Sequence, residues 1–265
     1  MENLNLLFYK TFYTKLGQGK AFETDVQKKA DALVNSKFYK KDYKPVCSEI
    51  APDKFMLKTA YPGLLAGTGY AHGIDVNDDI KVGFSFDFVT GQPYIPGSSV
   101  KGLLRSYFKH KEVIVELLGD SKIDVRTLER SIFGSTDDDS DDGVDTFFDA
   151  VVKRGDRNGR VMGFDSITPH GEDLTKNPNP LKIVKIMPDV VLEFSFNLKD
   201  SVIGEKTVSA DLKADLFKKI ITHFGIGAKT NVGYGVLTDF SEEELKSYVW
   251  PEKKHQIFIG FRQQY

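Results

Sequence analysis

The sequence predicts an α+β fold with a mainly antiparallel sheet, and two observations carry this prediction. Segments 81–89 and 190–198 alternate apolar with polar side chains, which is the pattern of half-buried strands. Segments of about 99–110 and 209–224 repeat apolar residues at helical spacing. Strands and helices in this order, joined by long insertions, fit a split β-α-β-β-α-β unit.

The other elements are predicted in chain order. Residues 20–36 place apolar side chains at helical spacing and predict an amphipathic helix. Residues 37–60 are mixed, basic and tyrosine-rich with two prolines, and residues 61–73 hold four glycines and one proline, so both predict loops. Shorter strand candidates lie at 146–152, 160–165, 181–187 and 256–261.

Composition limits the class of protein. The 265 residues are 40% apolar, with 20 Phe and 11 Tyr, which is enough for a substantial core. We expect a single domain over 1–265, with its core at about 60–240. A helical extension is expected at about 1–60 and an acidic insertion at about 135–145.

Targeting and metal signals are missing from the sequence. No apolar run approaches the ~18 residues of a membrane span, and the N-terminus does not resemble a signal peptide. The single cysteine, Cys47, excludes an internal disulfide and a cysteine-cluster zinc site. We therefore expect a cytoplasmic protein without a membrane contact, metal or cofactor.

The acidic run at 137–145 contains six Asp. Like charges repel each other, so the run predicts a solvated loop rather than a metal site, and its spacing does not match a calcium-binding loop. Without these six, 32 acidic residues face 36 basic ones. The remaining chain is mildly basic, which weakly favours an anionic partner.

The segment at 94–105 could bind a phosphate. It begins the helix predicted at about 99–110, which is capped by Ser98 and carries Lys101, Arg105 and Lys109 along one face. Free N–H groups and the positive end of the helix dipole suit an anion. An ordinary capped helix with a solvated basic face explains the same pattern, so both interpretations stay open.

The segment at 225–235 holds four glycines with Lys229, Thr230 and Asn231 between them. Glycines free the backbone for tight turns and for close approach to a ligand. A P-loop is excluded, because Ala228 stands where a glycine must precede the lysine and because the segment follows a helix. What remains is a backbone-rich surface that could follow a phosphodiester chain.

Two histidines lie in loops shaped by glycine or proline, His72 and His170. Either could act as a general base, but no nucleophile stands beside them in the sequence. The five histidines are scattered and show no metal-binding spacing.

Several segments together resemble a known family. PYIPGSSVKGLLRS at 93–106 and GIGAKTNVGYG at 225–235 resemble the turn-helix signature and the glycine-rich loop of RAMP proteins, the RNA-binding subunits of CRISPR effector complexes. Further segments follow in the order of one branch, the sixth subunit of the type III-B Cmr complex: TGYAHGI at 68–74, IFG at 132–134, FFDA at 147–150, DSITPHGEDL at 165–174 and NPNPLKIVKIMPDVVLEFSFNL at 177–198. The resemblance covers about 60–237.

The resemblance implies a ferredoxin-like fold related to the RRM, with long insertions. It also implies a non-catalytic subunit that caps the 3′-guide end of an antiviral ribonucleoprotein and contacts guide RNA (crRNA), target RNA, the repeated backbone subunit and the small subunit. The expected RNA contacts are Ser98, Ser99, Lys101, Arg105, Gly227, Lys229, Thr230, Asn231, His72 and His170. We further expect the segments at 94–105 and 225–235 to converge.

Two other functions stay open. One is an endoribonuclease, in which His72 or His170 acts as the base of a guide-processing reaction, or Asp75 or Asp165 serves in target cleavage. The other is a protein-interaction scaffold, in which the basic helix face meets an acidic partner. A steep salt dependence of RNA binding would separate RNA recognition from the scaffold.

Overall fold

A computed structural model of the chain describes residues 3–14, 18, 20–39, 48–66, 84–135, 143–167 and 181–250. Helices and strands are mixed along the chain, and the named strands pair antiparallel with one another. The α+β fold with a mainly antiparallel sheet is therefore confirmed.

The strands are β1 (Asp53–Thr59), β2 (Tyr94–Ile95), β3 (Thr146–Phe147), β4 (Ala150–Arg154), β5 (Met162–Ile167), β6 (Leu181–Ile186), β7 (Val191–Asn197), β8 (Ser201–Ile203), β9 (Lys206–Val208) and β10 (Leu237–Phe240). The helices are α1 (Leu4–Tyr9), α2 (Lys20–Asn35), α3 (Gly97–Tyr107), α4 (Lys111–Leu118), α5 (Val125–Phe133), α6 (Ala210–Phe224) and α7 (Glu242–Ser247). No helix within the described ranges is long and apolar enough to cross a membrane.

The central sheet has the strand order β10-β1-β7-β4-β2, and β3 also pairs with β7. The chain runs from β1 through α3–α5 to β4, and in the sheet β7 lies between β1 and β4. Helix α6 then precedes β10, which lies at the outer edge. This is the arrangement of a split β-α-β-β-α-β unit. Hairpins β5-β6 and β8-β9 form separate two-stranded sheets.

The two faces of the central sheet differ. On the helical face, α6 packs against β1 and β10, and its buried Phe217 contacts Phe147 and Phe196. The second face carries the alternate side chains of β1 and β7, such as Met56 and Glu193, which are paired in register. Helix α7 and the residues after it cover part of this second face.

Two loop and strand predictions are wrong. Residues 53–59 were expected in a loop but form β1, so the core sheet begins before residue 60. Within 81–89, the described residues 84–89 make one isolated bridge, from Phe86 to Pro93, instead of a regular strand. The alternation also breaks there, because Phe88 is 83% exposed. The strand expected at 256–261 lies outside the described residues.

Strand β7 forms where 190–198 predicts it, but it is not half-buried. Its polar residues Glu193 and Ser195 are buried as well, because both faces of this central strand are covered.

The acidic run ends on a buried residue. Asp145 accepts a hydrogen bond from the Lys199 backbone N–H at 2.8 Å and pairs with Lys213 of α6 at 2.7 Å. Both charged side chains are fully buried. The solvated-loop prediction is therefore wrong for Asp145, and residues 137–142 of the run lie outside the described residues.

Candidate nucleic-acid interface

Residues 225–235, called the glycine loop below, connect α6 to β10 and fold over residues 60–66. The Ala228 N–H donates to the Leu65 carbonyl, and the Gly235 N–H donates to the Gly63 carbonyl, each at 2.8 Å. A Cβ on Gly227 would lie 2.4 Å from the Leu65 oxygen. Glycine is thus required here because two backbone segments touch.

The outer side of the glycine loop presents unused backbone donors. The N–H groups of Gly227, Lys229, Thr230 and Asn231 make no hydrogen bond to another described residue. Lys229 is exposed in the left-handed conformation (φ 58°), and a short 3₁₀ turn, Thr230–Val232, follows it. Successive N–H groups in such a turn form a concavity that binds anions.

A hydrogen-bonded triad holds the glycine loop from beneath. The Tyr234 hydroxyl donates to Asp165 Oδ2 at 2.7 Å, and Lys185 Nζ lies 2.5 Å from the same oxygen. Burial and the Asp165 carboxylate together raise the pKa of Tyr234 to about 12. Burial alone would raise the pKa of Asp165, but the hydrogen bonds from Lys185 and Tyr234 outweigh it and lower that pKa. Tyr234 is therefore a support of the loop and not a free stacking surface.

Tyr61 is an aromatic side chain that the sequence reasoning missed. The residue is 85% exposed, and Lys185 Nζ lies 6.0 Å from the centroid of its ring. The following Pro62 lies against Gly233 of the glycine loop. An exposed ring close to unused backbone donors is suited to stack a nucleobase. The signal was present, since Tyr61 opens the glycine-rich stretch 61–73.

The start of α3 is arranged differently from the prediction. Pro96, not Ser98, is the N-cap, so Ser98 and Ser99 lie within the first turn of the helix. The Gly97 N–H donates to Asp149 Oδ1 at 2.7 Å. A carboxylate of this chain therefore already lies at the positive end of the helix dipole, where it opposes a phosphate.

The predicted basic face of α3 is also largely engaged. Arg105 pairs with Glu129 at 3.2 Å and donates to the Gly134 carbonyl at 3.1 Å. Lys101 Nζ lies 5.8 Å from the centroid of the Phe147 ring. The prediction of a free basic ridge is therefore wrong for Arg105.

The expected convergence of the start of α3 with the glycine loop is wrong. A Cβ on Gly97 would touch the Phe147 carbonyl, and Phe147 pairs with Phe196 at one end of β7. The glycine loop lies beyond the other end of the sheet, past the pairing of Lys58 with Val191. Phe196 and Val191 are five residues apart, about 16 Å along the strand, so the start of α3 lies at the opposite end of the sheet from the glycine loop. Only the far end of α3 approaches the loop, where Tyr107 stacks on Phe224 with ring centroids 4.2 Å apart.

The remaining candidate residues divide between described and undescribed parts of the chain. Asp165, expected in a loop, lies in β5 and is held by Lys185 and Tyr234. His72, His170 and Asp75 lie outside the described residues.

Comparison with known proteins bears on this site. The family model of the RAMP superfamily matches residues 56–238, which include the glycine loop. A protein of Saccharolobus solfataricus described as the CRISPR system CMR subunit Cmr6 is 30% identical over 158 residues, which is 58% of this chain and 47% of the relative. The chain thus spans about half the length of this curated relative.

Two solved structures also match part of this chain. A chain of the cryo-EM structure of the Type III-B Cmr-beta bound to cognate target RNA has a TM-score of 0.50 at 25% identity, and the match covers 71% of this chain and 58% of that one. The crystal structure of Cmr6 from Pyrococcus furiosus has a TM-score of 0.42 at 19% identity, over 71% of this chain and 97% of that one. The resemblance predicted from the sequence is confirmed at the level of the family model and the curated relative.

Proposed function

Because this chain belongs to the RAMP superfamily, we propose that it is a non-catalytic RNA-binding and assembly subunit of a type III-B CRISPR effector complex. In this proposal it caps the 3′-guide end of the complex in the cytoplasm. It contacts guide RNA and target RNA, and it adjoins the repeated backbone subunit and the small subunit. The names of the relative and of the RNA-bound structural neighbour support the assignment to such a complex.

The observation that carries the RNA-binding part is the outer side of the glycine loop. Four backbone N–H groups of the loop, three of them consecutive, have no partner among the described residues, and together with exposed Lys229 they suit phosphate oxygens. Backbone contacts carry no sequence information. They suffice when base pairing between guide and target supplies the specificity.

The non-catalytic part is supported by the surroundings of Asp165. A carboxylate that accepts hydrogen bonds from both Lys185 and Tyr234 has its oxygen Oδ2 occupied, and its lowered pKa makes it a weak base. We expect an assembled complex carrying Asp165→Asn to cut target RNA at the wild-type rate. Loss of cutting with assembly intact would instead establish the endoribonuclease alternative.

The proposed function is tested by purifying the tagged full chain from its native host and sequencing the RNA that accompanies it. Repeat-derived guide RNA together with several other proteins is the expected result. An RNA-free monomer would contradict the proposal. Elution of the bound RNA in rising salt is the control, because phosphate contacts weaken steeply with salt.

A further inference from the structure

A β-bulge places two consecutive basic residues on the second face of the central sheet. The register between β4 and β7 shifts between Val152 and Arg154, so Lys153 and Arg154 both face that side. Lys153 forms a buried ion pair with Glu193. Arg154 forms no ion pair with a described carboxylate, and Asp189 and Glu244 act on its charge only at longer range.

The guanidinium of Arg154 is fixed in place. Its carbon Cζ lies 4.8 Å from the Phe240 ring centroid and 4.6 Å from that of Tyr248. One nitrogen, Nη2, donates to the Asp189 carbonyl at 2.7 Å, while Nε has no partner among the described residues. The residue is only 8% exposed, and burial lowers the pKa of its guanidinium. A buried cation in this state is stabilised by an anion placed beside it.

A pocket of about 390 Å³ opens at this position. That volume is in the range of small-ligand sites. The lining residues are Lys58, Arg154, Arg157, Asp189, Phe240, Glu244, Ser247, Tyr248 and Val249.

The charges of the pocket favour an anion. Three lining residues are cationic and two are acidic. Glu244 is already engaged, because one oxygen accepts the Ser241 N–H that begins α7 and the other lies 3.9 Å from Lys58. Asp189 lies 3.7 Å from Arg157, whose side chain is 88% exposed at the rim.

We propose that this pocket binds a phosphate group, with Arg154 as its fixed donor and with Lys58 and Arg157 at its rim. The planar guanidinium offers parallel N–H donors that match phosphate oxygens, and two rings hold it in one orientation. Ordering this side chain on binding therefore loses little entropy.

The position of the pocket assigns the phosphate to an RNA backbone, and this assignment rests on the proposed function. Lys58 lies at the end of β1 that leads into residues 60–66, on which the glycine loop folds. The Ala60 N–H donates to the Val236 carbonyl, just after the glycine loop. A strand bound along the glycine loop would thus meet the pocket at the same end of the sheet.

The single tryptophan lies next to the pocket and senses it through Tyr248. Trp250 lies edge-on to Tyr248, with ring centroids 5.3 Å apart, and Tyr248 lines the pocket. The full chain is titrated with inorganic phosphate, and separately with a short single-stranded RNA, while Trp250 fluorescence is recorded. Fluorescence anisotropy of a labelled copy of the same RNA measures total RNA binding in parallel. We expect a saturable change in Trp250 fluorescence with both ligands.

Arg157→Gln is the principal variant, because its exposed side chain can be changed without disturbing the core. It should raise the Kd for phosphate, read from the Trp250 titration, about tenfold, which is the usual loss for one charge-assisted hydrogen bond. Arg126→Gln on α5 removes an equal charge from an exposed site on the helical side and should change nothing. Arg154→Lys keeps the charge but loses the parallel N–H donors of the planar guanidinium, and it should weaken phosphate binding at least as much.

The outcomes distinguish a failure of the phosphate pocket from a failure of the proposed RNA-binding function. A Trp250 response to phosphate without RNA binding keeps the pocket but contradicts the RNA-binding role. A second outcome is RNA binding by anisotropy without a change in Trp250 fluorescence, and with the same RNA affinity for Arg157→Gln and Arg126→Gln. This outcome overturns the pocket and leaves the RNA-binding role intact. An equal response to free glutamate overturns the phosphate assignment and indicates an acidic protein partner.

Discussion

At the scale of single residues, the lysines of this chain differ in what neutralises them. Lys213 and Lys153 form buried ion pairs, and Lys185 is held by Asp165 beneath the glycine loop. Lys229 instead is exposed at the turn of that loop. Only the folded environment separates a structural lysine from one that is available to a ligand.

Lys229→Gln is therefore expected to weaken RNA binding without altering stability. Removing one phosphate contact should lower the slope of log K against log salt by about 1. The measurement is RNA anisotropy at several salt concentrations. Lys122→Gln, at an exposed site before α5, is the matched control. Equal slopes for the two variants would exclude Lys229 as a phosphate contact.

Tyr234 gives a prediction about pH. Its pKa of about 12 in the folded protein exceeds the ordinary tyrosine value of about 10. Below pH ~10 the hydroxyl carries its proton in both the folded and the unfolded state, so its contribution to stability is fully present. As pH rises from ~10 through ~12 the unfolded state loses the proton first, and this contribution is lost.

Tyr234→Phe should accordingly remove this part of the alkaline loss of stability. Urea unfolding of wild type and variant at a series of alkaline pH values measures it. Near-ultraviolet absorbance should also show one fewer late-titrating tyrosine in the variant. Parallel stability curves for the two proteins would mean that the Tyr234 hydroxyl is not held by Asp165 as described.

At the scale of elements, the glycine loop shows why its composition is required. Gly225, Gly227 and Gly235 all adopt positive φ. A Cβ on Gly235 would lie 1.9 Å from the Ile226 carbonyl oxygen, within the bend that returns the chain to β10. The glycines are therefore needed for the loop to close on itself and on residues 60–66, whatever the loop binds.

Gly235→Ala should destabilise the protein by at least ~2 kcal/mol, through backbone strain and the clash with Ile226. Urea unfolding measures the change. Gly102→Ala is the control, because Gly102 lies in α3 and its added Cβ would meet no atom within 4 Å. That change should stabilise by about 0.5–1 kcal/mol through helix propensity. A neutral Gly235→Ala would contradict the described closure.

At the scale of the whole molecule, one buried ion pair joins layers that are distant in sequence. Asp145 precedes β3, and Lys213 lies in the first turns of α6. Asp145 also accepts the Lys199 N–H after β7. A single carboxylate thus joins the helical layer to the end of the central sheet.

Asp145→Leu should destabilise by about 3–5 kcal/mol, because it leaves the Lys213 charge buried and unpaired. The double variant Asp145→Leu with Lys213→Met should recover most of this loss, since both charges are then absent. Unfolding of wild type, the two single variants and the double variant completes the cycle. Additive losses would mean that the two charges do not interact in the folded state.

The sequence by itself determined the fold class, helices α2, α3 and α6, strand β7, the glycine loop and the family, because these depend on local periodicity and on motifs of fixed spacing. It did not give β1, since a central strand covered on both faces need not alternate, and it did not give α4 and α5.

Only the tertiary structure decided which charges are available. Arg105, Asp149, Asp145 and Asp165 find partners that lie 24 to 69 residues away in the chain. Strand register likewise placed the start of α3 and the glycine loop at opposite ends of the sheet, and the Arg154 pocket at the same end as the loop. The physical reason is that burial and pairing depend on which distant segments meet, and a linear pattern of residue types does not specify that.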